Sequence, residues 1–388
     1  MSVTSPLGFR AAGVVAGLKS TGKPDVALVV NDGPDFHAAA VFTTNRVAAA
    51  PVHWSRQVVS DGRVDAVILN SGGANACTGP QGFQNTHTTA EKTAEVLGLS
   101  ATDIVVCSTG LIGEQLPMDK ITAGVDAAAA ALSGDGGDDA ASAIMTTDSV
   151  SKTSVIKGKD SEGREFTIGG IAKGAGMLAP GLATMLVVIT TDAVVSPDML
   201  DVELRDACRV SFNRADSDGC MSTNDTVLLM ASGASGAVPA VDSFGEALTT
   251  VCKDLARQLI GDAEGASHDI AIRTFNAATE VDAETVGRSV ARSNLFKAAI
   301  FGKDPNWGRV LSAVGTTDAI FDPDQLNVSI NGIQICQNGG IGEDRNLVNL
   351  DAREVLVEID LKAGAEEATI WTNDLTHDYV HENSAYSS

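Results

Sequence analysis

The sequence predicts a layered α/β protein in which helices and strands do not strictly alternate. The chain has 388 residues, enough to bury a large core in two domains or in one large one. Its hydrophobic fraction is 44%, with many alanines, valines and glycines, which is typical of a folded globular protein and not of a disordered one. Short apolar runs of strand length occur between longer helical stretches, so both kinds of element are expected.

Ten apolar runs have the length and composition of strands. The last of them alternates apolar and polar residues, as a half-exposed antiparallel strand does. The predicted strands are 26–31, 38–43, 64–70, 104–107, 166–171, 184–191, 226–231, 269–275, 326–330 and 354–361.

Six stretches are predicted to be helices. The best marked start is at Ser196, which can cap a helix whose first position is Pro197. Glycines among aspartates follow Leu132 and indicate a helix end and a surface loop. The predicted helices are 88–97, 118–132, 197–210, 244–260, 281–293 and 295–300.

The charge of the chain excludes several classes of partner. It carries 27 basic and 50 acidic side chains, a formal net charge of −23 at pH 7. No basic stripe is available for nucleic acid, and the acidity argues against docking on an anionic membrane. No apolar run approaches the roughly 18 residues of a membrane helix, and the N-terminus has neither a signal-peptide nor a transit-peptide pattern. We therefore expect a cytoplasmic protein.

The cysteines and histidines predict neither disulfides nor a metal site. The six cysteines are scattered without a CxxC pair, so reduced thiols are expected. The six histidines lack HExxH or paired ligand spacing, so no metal is expected. Cys107 follows two valines on a predicted core strand, and we expect it to be a buried structural thiol.

Glycines surround a single lysine at the start of the segment 169–193, before a predicted strand. A Walker A loop would have the lysine after the glycines and before a Ser or Thr, but Lys173 precedes Gly174 and Gly176. A dinucleotide-binding fingerprint is excluded as well, because these glycines precede a strand and do not open a helix after one.

Thr184, at the start of the strand predicted over 184–191, offers a different chemistry. If the chain is cut before it, its hydroxyl becomes an N-terminal nucleophile, and its own α-amine, with a pKa of about 7.7–8.0, serves as the base. The small Ala183 and the glycine-rich approach would allow the bent geometry that self-cleavage requires. A tight turn into a core strand explains the same residue types, so both interpretations stay open at this point.

Segments along the whole chain, in order, resemble the ornithine acetyltransferase family, also called glutamate N-acetyltransferase. The segment KGAGMLAPGLATML at 173–186 is similar to the cleavage-site signature of that family. The combination is highly specific, although no single segment would be. The other similar segments are FTTNRVAAAPV (42–52), NSGGANACTG (70–79), CSTGLIGEQLP (107–117), IMTTD (144–148), FNRADSDGCMSTNDTV (212–227), GDAEGA (261–266), FGKDPNWGRV (301–310) and HENSAYSS (381–388).

The resemblance implies a self-cleaving enzyme of arginine biosynthesis that moves an acetyl group from N-acetylornithine to glutamate. It implies a layered α/β fold related to the N-terminal-nucleophile type, with mixed sheets in two tightly packed lobes. The cleaved bond would be Ala183-Thr184. The products, 1–183 and 184–388, would stay packed together as an (αβ)2 heterotetramer. Departures at 181–182, where the family often has Asn-Met, and at Gly73, where it often has Asn, would alter the cleavage rate or a loop shape.

The resemblance also implies the residues of the site. Thr184 would be the nucleophile, and Thr109 and Gly110 fall on the oxyanion-hole positions. Lys173 would pair with a substrate α-carboxylate, and Glu264 would hold a substrate ammonium. The substrate-binding set is Thr146, Lys173, Thr184, Glu264, Asn383 and Ser388, with Thr147 as the alternative register for Thr146. No cofactor or metal is implied, and acetyl-CoA would enter only as a co-substrate.

Three alternatives to this function stay open. The first is a bifunctional enzyme that also makes N-acetylglutamate from acetyl-CoA. The second is an N-terminal-nucleophile amidase or aminopeptidase, in which water receives the acyl group. The third is an uncleaved metabolite-binding protein with an anion loop around Lys173. Among conspicuous residues without a role, Asn306, Trp307 and Arg309 would shape either the site or a subunit contact, and turn chemistry explains the hydroxyls of 222–226.

Overall fold

The computed structural model describes residues 2–177 and 185–385. Three residues with predicted roles, Ala183, Thr184 and Ser388, lie outside the described residues. The described part contains ten α-helices and three sheets, and each sheet mixes parallel and antiparallel pairs. The predicted α/β class with mixed sheets is therefore confirmed.

The strands are β1 (Phe9–Val14), β2 (Val26–Asn31), β3 (His37–Phe42), β4 (Ala66–Ser71), β5 (Ile104–Thr109), β6 (Lys152–Lys159), β7 (Glu165–Lys173), β8 (Leu186–Thr191), β9 (Thr226–Ala231), β10 (Asp269–Ala277), β11 (Asn327–Ile330), β12 (Ile333–Gln337), β13 (Gly340–Ile341), β14 (Glu354–Asp360) and β15 (Glu366–Asn373). The helices are α1 (Ala50–Val58), α2 (Gly79–Leu97), α3 (Met118–Ala131), α4 (Gly137–Ala143), α5 (Pro197–Arg209), α6 (Val241–Gly261), α7 (Glu280–Ala291), α8 (Asn294–Phe301), α9 (Trp307–Val314) and α10 (His377–Ala385). None of these helices is both long and apolar enough to cross a bilayer.

Two sheets stack face to face in the first lobe. One has the strand order β1-β2-β4-β5 and the other the order β3-β9-β8-β7-β6. Alternate residues of β8 point to opposite sides: Leu186 and Val188 join the core shared with the first sheet, whereas Val187 and Ile189 join the core under α5 and α6. Helices α1 to α4 pack against the first sheet. The lobe is therefore layered, with helices outside two central sheets.

Continuous burial explains the continuous apolar runs in the sequence. Every residue of five strands, namely β2, β4, β5, β8 and β9, is buried. A strand that is covered on both faces has no solvent side on which polar residues would alternate. The layering therefore explains why these strands were predictable from hydrophobicity alone.

The third sheet forms the second lobe, with strand order β13-β12-β11-β14-β10-β15. Its core is closed by α7, α8 and α9. A small apolar cluster of Ala215, Ile260, Ala263 and the partly buried Trp371 joins this lobe to the first one.

The described strands on either side of the predicted cleavage point belong to one sheet and not to different lobes. Strands β7 and β8, on either side of residues 178–184, are antiparallel neighbours with a register that runs from Ile168 opposite Thr191 to Lys173 opposite Leu186. The predicted fragments 1–183 and 184–388 would thus share one sheet. Their separation by cleavage stays a prediction.

Candidate active site

A cavity of about 480 Å³ brings together residues that are far apart in the sequence. Its wall includes the last residues of β5 and β7, the turn after α4, and helix α10. All six of the predicted site residues that the structure describes line this cavity, namely Thr109, Gly110, Thr146, Lys173, Glu264 and Asn383. Thr147 lines it beside Thr146, so both alternatives of that register face the same space.

Lys173 and Thr109 are in direct contact at the cavity wall. Lys173 is only 1% exposed, and its Nζ donates a hydrogen bond to Thr109 Oγ1 at 3.1 Å. Since the hydroxyl oxygen accepts from the ammonium, the Thr109 hydroxyl proton remains available for another acceptor. The adjacent positive charge polarises that O–H group and makes it a stronger donor.

Among the negative groups around this lysine, Asp148 has the strongest electrostatic effect on it. Its carboxylate accepts hydrogen bonds from Lys152 Nζ at 2.6 Å, from the Gly174 N–H at 2.6 Å and from the Thr146 N–H at 2.9 Å. Burial alone would raise the pKa of Asp148, but Lys173, Lys152 and these hydrogen bonds outweigh it and lower the pKa to about 2. Burial lowers the pKa of Lys173, and Asp148 opposes that decrease.

A buried ion network extends from Asp148 to the predicted GDAEGA motif. Lys152 is fully buried, and its Nζ lies 2.6 Å from both the Asp148 and the Asp262 carboxylates. Asp262 also accepts from the Ser149 backbone N–H at 3.0 Å. The turn that carries Thr146 is thereby tied to the loop that carries Glu264.

The depressed pKa of Asp148 predicts an acid-sensitive contribution to stability. Because the folded-state pKa is about 2 and the ordinary value is 3.8, this contribution is fully present above pH 4 and is lost as the pH falls toward 2. We expect the stability difference between the wild type and Asp148→Asn to shrink by about 2 kcal/mol from pH 5 to pH 2. Urea unfolding of both proteins across this range measures it, and a constant difference would contradict it.

Gly110 occupies a position where only glycine fits. Its φ is +130°, and a Cβ placed there would lie 2.5 Å from the Gly73 backbone nitrogen. The carbonyl of Thr109 accepts the N–H groups of Gly72 and Gly73 at 2.9 and 3.0 Å, which fixes the turn. Among the described residues, the Gly110 N–H has no hydrogen-bond acceptor, so it is available as a donor at the cavity wall.

The turn at 222–226 also supports this region. Asn224 Nδ2 donates to the Ala74 carbonyl at 2.6 Å and to the Ser108 carbonyl at 2.8 Å. The side chain is buried and links the end of β5 to the loop after β4. The sequence interpretation as ordinary turn chemistry missed this cross-link, because it depends on segments more than a hundred residues apart.

Glu264 and Asn383 meet across a close backbone approach. Asn383 Nδ2 donates to Glu264 Oε2 at 3.0 Å. Gly265, with φ of +63°, lets the loop pass so close to the start of α10 that an added Cβ would lie 2.2 Å from the Tyr379 nitrogen. Thr376 Oγ1 donates to the Gly265 carbonyl at 2.6 Å and fastens the helix there. The C-terminal helix is therefore part of the cavity wall.

Several residues of the cavity and of the ion network beside it were missed by the sequence analysis. Asp148 and Asp262 lie inside the segments IMTTD and GDAEGA, and an Asp after two threonines is a turn signal that would have pointed to Asp148. Lys152 is an isolated lysine in a polar strand, and nothing in the sequence marks it as buried. Lys19 and Lys23 also line the cavity, and their loop carried no recognised motif.

The conspicuous residues without a predicted catalytic role have structural ones. Cys107 is buried on β5, as predicted, and burial raises the pKa of its thiol to about 12. Asn306 caps α9 by accepting from the Arg309 N–H at 3.3 Å, and Trp307 packs on the core of the third sheet. Within residues 2–177 and 185–385, no three His, Cys, Asp or Glu side chains are grouped to hold a metal.

The layered sheets and the polar cavity define the chain as an α/β protein with a candidate active site. Comparison with known proteins names its family. The model of the ArgJ family matches residues 10–388, and the chain belongs to this family. The family predicted from the sequence motifs is thereby confirmed.

Relatives match over the full length of the chain. The arginine biosynthesis bifunctional protein ArgJ of Streptomyces coelicolor is 66% identical, with 100% of both chains covered. The protein of the same name from Mycobacterium leprae is 53% identical, over 100% of this chain and 96% of its own. Among solved structures, ornithine acetyltransferase of Mycobacterium tuberculosis complexed with ornithine is 52% identical, covering 48% of this chain and 96% of the other with a TM-score of 0.43.

Proposed function

We propose that this enzyme transfers the acetyl group of N-acetyl-L-ornithine to L-glutamate in arginine biosynthesis, giving L-ornithine and N-acetyl-L-glutamate. The observation that carries the proposal is the Lys173–Thr109 contact in a cavity that Glu264 and Asn383 also line. It offers a polarised hydroxyl for a developing oxyanion and an acidic side chain for a substrate ammonium. Membership of a family whose relatives are named arginine biosynthesis proteins supports the pathway.

The first stage is self-cleavage. The Thr184 hydroxyl attacks the Ala183 carbonyl carbon. The Ala183 acyl group thereby moves from the nitrogen to the side-chain oxygen of Thr184, as the peptide C–N bond breaks and an ester forms. Water then hydrolyses the resulting ester, which frees the α-amine of Thr184 and the carboxylate of Ala183. The pairing of β7 with β8 supports fragments that remain together after the cut.

The second stage is acetyl transfer. The Thr184 hydroxyl attacks the acetyl carbonyl of acetylornithine while its α-amine accepts the proton. The Thr109 hydroxyl and the Gly110 N–H donate to the tetrahedral oxyanion. The C–N bond breaks, the proton passes to the leaving nitrogen, and ornithine departs. The α-amine of glutamate then attacks the acetyl ester and restores the Thr184 hydroxyl. The chemistry needs no cofactor, because one amide bond is exchanged for another.

Thr109→Val tests the oxyanion role. The side chain keeps its shape but loses the donor that Lys173 polarises, so we expect kcat to fall about 10²- to 10³-fold. Thr109→Ser keeps the hydroxyl and should retain most of the activity. Ornithine release and N-acetylglutamate formation, normalised to the cleaved fraction by mass spectrometry, measure the effect. A cleaved Thr109→Val enzyme within fivefold of the wild type would overturn this role.

The identity of the acetyl acceptor, glutamate or water, distinguishes a transferase from a hydrolase. In a ping-pong transferase, ornithine release depends on glutamate, and double-reciprocal plots at several glutamate concentrations are parallel. Ornithine release that is independent of glutamate would favour the amidase alternative. The third alternative, an uncleaved metabolite-binding protein, is disfavoured because full-length relatives are named bifunctional proteins of arginine biosynthesis.

A second activity is favoured by the names of the relatives, which call those proteins bifunctional. We infer that acetyl-CoA also acetylates the Thr184 hydroxyl as a co-substrate, with release of the coenzyme A thiol, and that the α-amine of glutamate then takes the acetyl group to give N-acetylglutamate. Incubation of the enzyme with glutamate and acetyl-CoA, without acetylornithine, tests the activity directly. The proposed assembly is an (αβ)2 heterotetramer in the cytoplasm, which native mass spectrometry of the cleaved enzyme would test.

A further inference from the structure

Two lysines of the loop between β1 and β2 line the cavity and have no part in the transfer chemistry above. Lys19 and Lys23 share its wall with Lys173 and Glu264. Lys19 is half-buried, whereas Lys23 is exposed. The wall therefore holds three lysines, of which Lys173 already faces the buried carboxylate of Asp148, so the two lysines of this loop are further cations beside it.

Hydrogen bonds within the loop fix the backbone that carries Lys19. The buried Asp25 carboxylate accepts the backbone N–H groups of Ala16 and Leu18 at 2.6 Å and of Lys19 at 3.1 Å. Three hydrogen bonds to one carboxylate hold this backbone in a single conformation. The loop therefore presents Lys19 to the cavity at little further cost in conformational entropy when a ligand binds.

The Lys19 ammonium has a free donor. Its Nζ donates to the Pro24 carbonyl at 2.7 Å and more weakly to the Ala143 carbonyl at 3.5 Å. An ammonium has three protons, so one remains. In the described part of the chain, no carboxylate lies within ion-pair distance of this Nζ. Burial lowers the pKa of Lys19 to about 8, Asp25 opposes that decrease, and Lys173 adds to it.

The two substrates of the proposed reaction place opposite charges in one cavity. Acetylornithine ends in a side-chain ammonium, whereas glutamate ends in a side-chain carboxylate. In a ping-pong reaction both bind in turn beside the same nucleophile, so their side chains extend into the same space. Glu264 can pair with the ammonium but would repel the carboxylate, and glutamate therefore requires a separate cation.

We propose that Lys19 binds the side-chain carboxylate of the acidic acceptor and so selects glutamate in the second half-reaction. This inference rests on the proposed function. It gives the cavity two charged subsites: Glu264 binds the side-chain ammonium of the acetyl donor, and Lys19 binds the side-chain carboxylate of the acetyl acceptor.

Lys19→Met tests the assignment by comparing glutamate with glutamine, its neutral isostere, as acceptor. The variant removes the charge and keeps much of the side-chain volume. We expect the ratio of kcat/KM for glutamate over glutamine to fall at least about tenfold. Formation of the acetyl-enzyme from acetylornithine, measured as added mass on the fragment that begins at Thr184, should stay within twofold, which also shows that the variant is folded.

Two further variants make the outcome decisive. Lys19→Arg keeps the charge and should retain most of the glutamate preference. Lys23→Met removes one charge from the exposed lysine of the same loop and should leave the ratio within about threefold. An unchanged ratio in Lys19→Met, or an equal loss in Lys23→Met, would overturn the assignment to Lys19. A wild-type enzyme that acetylates neither acceptor would instead overturn the proposed function.

Discussion

Replacing Thr184 with alanine should abolish both cleavage and acetyl transfer. The wild type should give fragments of about 19 and 21 kDa, the 39.8 kDa chain divided in proportion to 183 and 205 residues, with the larger beginning at Thr184. Thr184→Ala has no hydroxyl to attack either the Ala183 carbonyl or the acetyl group. We therefore expect one intact chain in the denaturing mass spectrum and a loss of transfer of at least about 10⁴-fold.

Thr184→Ser is the matched control, because it restores a hydroxyl at the same position. It should be cleaved, although more slowly, and should recover measurable transfer. A wild-type chain that is folded and active but intact at 39.8 kDa would exclude the N-terminal nucleophile. A cleaved Thr184→Ala chain would place the scissile bond elsewhere.

Lys152→Met should produce the largest loss of stability among single substitutions at the site. The substitution leaves the Asp148 and Asp262 carboxylates without the buried ammonium that lies 2.6 Å from each. Removing one partner of a buried ion network costs about 3–5 kcal/mol, since the remaining charges stay desolvated. The midpoint of urea unfolding, followed by circular dichroism, measures this loss.

Lys157→Met is the control on the same strand. Lys157 is 70% exposed, and its nearest carboxylate, Glu165, is 3.9 Å away. Such a surface pair contributes at most about 1 kcal/mol, so the unfolding midpoint should barely change. Equal destabilisation by the two variants would show that any substitution on this strand lowers the stability. The buried ion network would then make no greater contribution to the free energy of unfolding than a surface lysine does.

The strands and helices that the sequence predicted are those with a strong hydrophobic pattern. Strands β2 and β9 were predicted with their observed bounds, and α3 and α5 to within one residue. Strand β6 was missed because it is a mostly half-exposed edge strand, KTSVIKGK, with few apolar residues. Helix α2 begins nine residues before its predicted start at 88. The prediction missed its first turns because Pro80 interrupts the helical pattern there and the following residues are mostly polar.

The sequence predicted the site residues that lie in recognisable motifs, but it did not predict which side chains are buried or which of them are in contact. Thr109 and Glu264 were identified by family resemblance, and both line the cavity. The burial of Lys152 and the ammonium–hydroxyl contact of Lys173 with Thr109 depend on which strands pair and stack. Pairing between segments far apart in the chain is a tertiary property, which a local pattern of residue types does not contain.

The sheet that spans the predicted break also determines the order of events in the life of the molecule. Its middle strand β8 lies between β7, from the first predicted fragment, and β9, from the second. Neither segment alone could complete either hydrophobic layer of the first lobe. If the chain is cut as proposed, the two segments must therefore first fold together as one polypeptide, and the cut would leave them packed in a shared sheet and two shared cores.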